Sequence, residues 1–114
     1  MNMKNFLKKY INDYCNLVNS SSKEITNDLL AVKDAVLSAS NIGNKTIIVG
    51  NGGSAAIASH FSVDITKNAG VRCINFNESD LITCFANDYG YEHWVKRAVD
   101  FYGDEGDVFI GISS

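Results

Sequence analysis

Residues 50–54, Gly-Asn-Gly-Gly-Ser, follow the strand-like run Lys45-Thr46-Ile47-Ile48-Val49 and precede a helix-forming stretch from Ala55 to Asp64. Three glycines within four positions let the backbone turn tightly and approach a ligand closely. Ser54 is placed to cap the helix, whose first N–H groups would then point at an anion. The chemistry this suits is the holding of a phosphorylated small molecule. His60 and Asp64, four residues apart on one face of the same helix, form a titratable or metal-binding pair one to two turns further on.

The elements that must position these groups alternate. After the Gly-rich loop the helix is predicted to run to about residue 68 with Gly70 as its stop, and Val71 to Phe76 reads as a second strand. Either Ser79 or Asn77 caps a short helix through Leu81, Ile82, Phe85 and Ala86, broken by Asn87-Asp88-Tyr89-Gly90. Tyr91, Trp94, Val95, Ala98, Val99 and Tyr102 give another amphipathic helix closed by Gly103, with Trp94 and the tyrosines as core positions. His93 falls on its surface side. A third strand, Val108 to Ile112, leads into Ser113 and Ser114. Strand and helix in alternation predict a parallel sheet with helices on both faces, and ligands in such sheets sit beyond the carboxyl ends of the strands. Three strands alone would leave long edges unpaired, so residues 1–114 read as the front part of a longer domain.

Ahead of the sheet, Phe6, Leu7, Tyr10, Ile11, Tyr14, Leu17 and Val18 recur at helical spacing and predict a helix over about residues 3–19. Ser21-Ser22-Lys23-Glu24 has the form of a capping box and predicts a second helix, carrying Ile25, Leu29, Val32 and Val36, that ends at Gly43-Asn44. This pair, residues 1–43, either covers a face of the sheet or pairs with copies of itself; residues 44–114 form the sheet region of the same single domain.

Composition narrows the partners. With 46% apolar and 20% charged residues and a net charge of −3, the chain reads as globular, without the basic surface that nucleic acid requires. No run approaches the roughly 20 apolar residues of a membrane span, and the N-terminus lacks the apolar centre of a signal peptide. Cys15, Cys73 and Cys84 are odd in number and far apart, which argues against a disulfide framework and for a cytoplasmic setting.

The ordered set Val49-Gly50-Asn51-Gly52-Gly53-Ser54, His60, Asn87-Asp88-Tyr89-Gly90-Tyr91, Gly106-Asp107-Val108 and Gly111-Ile112-Ser113-Ser114 resembles the sugar isomerase (SIS) domain family, and within it the phosphoheptose isomerases. The resemblance implies a three-layer αβα sandwich of SIS type, flavodoxin-like, with the two N-terminal helices in front. It implies aldose–ketose isomerisation of sedoheptulose 7-phosphate, in making activated heptose for surface lipopolysaccharide, by a homo-oligomer, often a tetramer. It further implies that Asn51, Gly52, Gly53 and Ser54 line the sugar-phosphate site, that Asp88 contacts the sugar, and that Ser113 and Ser114 hold the phosphate. His60 would be a zinc ligand and Asp64 both ligand and catalytic base. Asp64 stands where the heptose isomerases carry glutamate, one methylene longer, and a misplacement of about 1 Å costs on the order of 100-fold in rate. The family's remaining zinc ligands and a second catalytic histidine come from a C-terminal helix beyond these residues.

Two other functions fit parts of the pattern. Gly50-x-Gly52-x-x-Ala55 satisfies a relaxed dinucleotide fingerprint with Glu78 as ribose ligand, although this explains neither His60 with Asp64 nor the terminal serines. A non-catalytic SIS module that binds sugar phosphates for regulation is the stronger alternative.

Overall fold

The computed structural model describes residues 2–113 and divides into two compact units, Met1–Asp34 and Ala35–Ser114. Helix α1 (Met3–Asn41) is followed by β1 (Thr46–Gly50), α2 (Gly53–Ala69), β2 (Cys73–Ile74), α3 (Ser79–Tyr89), a 3-10 turn (Tyr91–His93), α4 (Trp94–Tyr102) and β3 (Val108–Ile112). Among the described residues no helix is long and apolar enough to cross a membrane.

The expected pair of N-terminal helices is one continuous helix, α1. No glycine or proline interrupts residues 3–41. Val18 and Ile25 lie seven residues, about two turns, apart, so the two apolar stripes are in phase. Hydroxyls around the expected start of a second helix instead bond back within the first. Ser20 Oγ donates to the Leu17 carbonyl at 3.0 Å, Ser22 Oγ to the Asn19 carbonyl at 2.9 Å and Thr26 Oγ1 to the Ser22 carbonyl at 2.6 Å. Such back-bonding lets hydroxyls remain inside a helix without ending it. In the first unit the stripe from Phe6 to Val18 is exposed.

In the second unit the sheet is fully parallel in the order β2-β1-β3. The central strand is apolar without alternation because both its faces are covered. Ile47 and Val49 point to one side, against Phe76, Trp94 and Ala98, with Leu81, Ile82 and Phe85 of α3 packed around them. Ile48 points to the other, against Ala58 of α2 and Cys73, beside Phe61, Ile65, Ile110 and Ile112. The sheet is thus a middle layer between α2 and the α3–α4 pair, the α/β sandwich expected. Burying a side chain such as Ile47 or Ile48, each 1% exposed, contributes roughly 1.5–3 kcal/mol.

The second strand is shorter than Val71 to Phe76, because side chains take over where the ladder ends. Asn75 Oδ1 accepts from the Asn77 N–H at 2.9 Å and its amide donates to Ser62 Oγ at 2.8 Å. Asn77, a candidate cap, is drawn instead to α2, donating to the Ala55 carbonyl and Ser59 Oγ. Glu78 is the residue that starts α3, without a side-chain cap bond. At the amino ends of β1 and β3, Asp107 accepts from the Lys45 N–H at 2.9 Å and from the Asn44 amide, and its carboxylate lies 2.6 Å from the Lys45 ammonium, which also bonds Asp104. Burial pushes the Asp107 carboxyl up, but these donors outweigh it and hold it well below the usual range. Bonds to Asp104 and Asp107 raise Lys45 in turn. This cluster fixes the β1–β3 register from the end opposite the Gly-rich loop.

Candidate functional site

At the carboxyl end of β1 the chain turns sharply into α2. Gly52 stands at φ 56°, ψ −122°, a conformation that an L side chain strains to adopt, and it occupies the N-cap itself. Ser54, expected to cap, lies within the first turn of α2 and makes no cap bond. Its own N–H is bonded to the Asn51 carbonyl at 3.0 Å, while those of Ala55 and Ala56 bond the Gly52 carbonyl. Among the described residues, this leaves the Gly52 and Gly53 amides as the helix-start donors that the turn does not use. Gly50 is fixed by space: a Cβ there would sit 2.6 Å from the Ser54 carbonyl carbon and oxygen.

Because β3 pairs alongside β1, with Gly50 opposite Ile112, the ends of these two strands open into one cavity of about 260 Å³. It is lined by Val49, Gly50, Asn51, Ser54, Val95, Gly111, Ile112 and Ser113. Ligand pockets run from roughly 300 Å³ upward, so a small polar molecule is the size it suits. The structure therefore brings Asn51, Ser54 and Ser113 together, with Gly52 and Gly53 forming the exposed turn beside them. Ser114 lies outside the described residues.

His60 and Asp64 face a separate, shallow groove with Ala56, Ile57 and Phe61. His60 Nε2 is 3.3 Å from Asp64 Oδ2, and the side chains are 80% and 53% exposed. Along the axis of α2, Ser54 is about 9 Å from His60 and about 15 Å from Asp64. An imidazole nitrogen and a carboxylate oxygen are both zinc donors, so the pair fits as two ligands of a site that needs three or four. Among the described residues no group of three or more His, Cys, Asp or Glu side chains could hold a metal.

Asp88 is carried by the last turn of α3, which continues through the expected break and stops at Gly90. Its carboxylate accepts from the Asn87 amide at 3.0 Å and lies 3.7 Å from Cys84 Sγ. It borders a groove with Tyr89, His93, Lys96 and Arg97, where the Arg97 guanidinium stacks 4.7 Å over the Tyr89 ring. Within this chain Asp88 does not line the cavity of the Gly-rich loop. The charge of Asp88 raises the Cys84 thiol, and burial pushes Cys73 up to about 11.

Trp94 is core, at 3% exposed, whereas Tyr91 and Tyr102 are exposed, with Tyr102 lying against Phe76. The expectation that these tyrosines are core fails at both ends of the helix: Tyr91 belongs to the 3-10 turn before α4, which begins at Trp94, and Tyr102 is the last residue of α4. Sequence reasoning missed what Tyr91 does reach: its hydroxyl donates to Asn51 Oδ1 at 3.0 Å. Val95 of the cavity wall was also missed, since helical periodicity marks it only as one of the apolar positions of α4.

No family model matches the chain. It is 34% identical to the phosphoheptose isomerase of Trichlorobacter lovleyi over 98% of its own length and 60% of that protein's. It is 35% identical to phosphoheptose isomerase 2 of Campylobacter jejuni over 99% of its own length and 60% of that protein's. The chain thus spans about 60% of the length of these curated relatives. The solved phosphoheptose isomerase GmhA of Neisseria gonorrhoeae superposes with a TM-score of 0.92 at 24% identity, covering 99% of this chain and 61% of that one, which establishes the same fold.

Proposed function

The chain belongs to the SIS-domain phosphoheptose isomerase-like family, and from that premise we propose that it forms the sugar-phosphate-binding part of an aldose–ketose isomerase acting on sedoheptulose 7-phosphate. The observation that carries this reading is the cavity at the carboxyl ends of β1 and β3, where Asn51 and Ser54 face Ser113. Hydroxyls, a carboxamide and the amides of Gly52 and Gly53 are donors suited to a phosphate and a polyol.

Aldose–ketose exchange moves a carbonyl between C1 and C2. A base removes a carbon-bound proton, a stabiliser holds the enediolate oxygen, and an acid returns a proton. In this proposal Asn51, Gly52, Gly53, Ser54, Ser113 and Ser114 bind the sugar phosphate and Asp88 contacts the sugar. Asp64, whose carboxylate is exposed on α2, takes the proton. His60, whose Nε2 lies 3.3 Å from Asp64 Oδ2, orients that carboxylate. Zinc, held in part by His60 and Asp64, would supply charge stabilisation to the enediolate oxygen.

The exposed apolar stripe of α1 supports self-association, and a homotetramer is the assembly proposed. Free Cys15, Cys73 and Cys84 fit a reducing cytoplasm, and making activated heptose for surface lipopolysaccharide is the proposed role. The separation of His60 and Asp64 from the loop cavity favours one second reading, a sugar-phosphate-binding module without turnover.

The test is exchange of the C1 and C2 protons of sedoheptulose 7-phosphate in deuterated water, followed by NMR, on the full-length protein with zinc. Exchange that vanishes in Asp64→Asn is the expected result and places the base. Saturable binding without any exchange would overturn the isomerase in favour of the binding module.

A further inference from the structure

We infer that Tyr91 is a positioning residue for the Gly-rich loop, holding the Asn51 carboxamide so that its NH2 group is presented to the sugar. This rests on the sugar-phosphate reading of the cavity. Asn51 is the cavity-lining side chain best able to donate to a sugar oxygen, yet it stands exposed on a turn beside Gly52, where nothing in its own segment fixes its rotamer. The Tyr91 hydroxyl, 40 residues away in sequence, donates to its Oδ1 at 3.0 Å. With the carbonyl oxygen of the amide occupied, the remaining polar group of the side chain is its NH2, a donor of two protons.

The Tyr91 side is built to be rigid. Gly90, at φ 90° and ψ 142°, ends α3 and redirects the chain, and the 3-10 turn is closed by the His93 N–H on the Gly90 carbonyl at 3.0 Å. The Tyr91 carbonyl accepts from the N–H of Trp94. Trp94 itself is buried against Ile47 and Val49, the strand that ends in the loop. Tyr91 is 58% exposed, so its position is used through the hydroxyl rather than through packing. Ordering a polar side chain before the ligand arrives removes that cost from binding, an effect of about three- to tenfold in affinity.

The experiment is a double-mutant cycle on the full-length protein with Tyr91→Phe, Asn51→Ala and both, reading the dissociation constant of sedoheptulose 7-phosphate by calorimetry and the melting temperature alongside. Tyr91→Phe is expected to weaken binding about three- to tenfold with the melting temperature within about 2 °C of wild type, and to have less than a twofold effect in the Asn51→Ala background. Wild-type affinity in Tyr91→Phe, or the same loss in both backgrounds, would overturn the inference. A ligand-independent readout accompanies it: the NMR order parameter of the Asn51 side-chain amide in the free protein should fall in Tyr91→Phe. If the wild type neither binds nor isomerises the sugar, the proposed function is refuted, and an unchanged order parameter would then refute the role of Tyr91 separately.

Discussion

Gly50→Ala tests whether the loop is set by close approach of β1 to α2. A Cβ at residue 50 would lie 2.6 Å from the Ser54 carbonyl carbon and oxygen and 2.7 Å from its Cβ, about 0.8 Å short of ordinary contact at 3.4 Å. Two of those three atoms are backbone, so no rotamer change relieves the clash. The body of α2 is held by Ala58, fully buried, and by Phe61 and Ile65 against Ile48. The displacement therefore falls on residues 51–54. Overpacking of this kind costs about 1–3 kcal/mol. In a domain of about 100 residues that lowers the melting temperature by about 4–24 °C. On the proposed function, moving the loop by most of an ångström should reduce kcat/KM for sedoheptulose 7-phosphate by about 30- to 100-fold. The assay is calorimetric melting and steady-state isomerisation on the full-length protein. Gly53→Ala is the control, since a Cβ there meets nothing within 4 Å and the residue already lies in α2; its melting temperature should hold or rise slightly. A Gly50→Ala protein that melts within 1 °C of wild type, with kcat/KM within threefold, would refute the reasoning.

Asp107→Asn should destabilise by about 2–3 kcal/mol in urea unfolding, less than the roughly 3–5 kcal/mol for a fully orphaned buried charge because Asp104 stays on Lys45. The folded Asp107 carboxyl lies below its ordinary value of 3.8, so its stabilisation is complete above that value and fades as pH falls from there toward the lower folded value. Acid unfolding of the wild type should carry this dependence, and a variant with the same acid limb would count against the cluster. Lys45, raised above 10.5, contributes oppositely: its share is intact below that pH and is lost only above it, which alkaline melting would reveal. Asp88→Asn should speed alkylation of Cys84 at pH 8, measured by mass spectrometry, because it removes the charge that raises that thiol, while Cys73 should stay unreactive in both proteins. Spin labels at residues 8 and 33, 25 residues apart on α1, should be separated by about 38 Å, and a distance below about 25 Å would restore the helical pair.

Much of the loop's turn was legible from local chemistry. Gly50, Gly52 and Gly53 after an unbroken apolar strand specify a tight strand-to-helix turn, and the structure uses two of them for separate reasons, close contact at Gly50 and a positive φ at Gly52. Gly70 and Gly43 mark where helices stop for the same conformational reason. Ser54, Ser21 and Asn77 misled as caps because a hydroxyl or amide has several backbone groups within reach, and the sequence does not say which one is unpaired.

Sequence by itself indicated the alternation of strand and helix and the glycine turn after β1, since these depend on neighbours within a few residues, but it split α1 in two because a run of hydroxyls looks alike whether it caps a helix or bonds back inside one. Tertiary structure alone decided the strand order β2-β1-β3, and with it that Ser113 faces Asn51 across a cavity while Asp88 borders another groove. It also brought Tyr91 to Asn51. Periodicity reports which face of an element is buried; which partner lies against that face is set by packing between residues 40 and 62 positions apart, as in Asn51 with Tyr91 and Lys45 with Asp107.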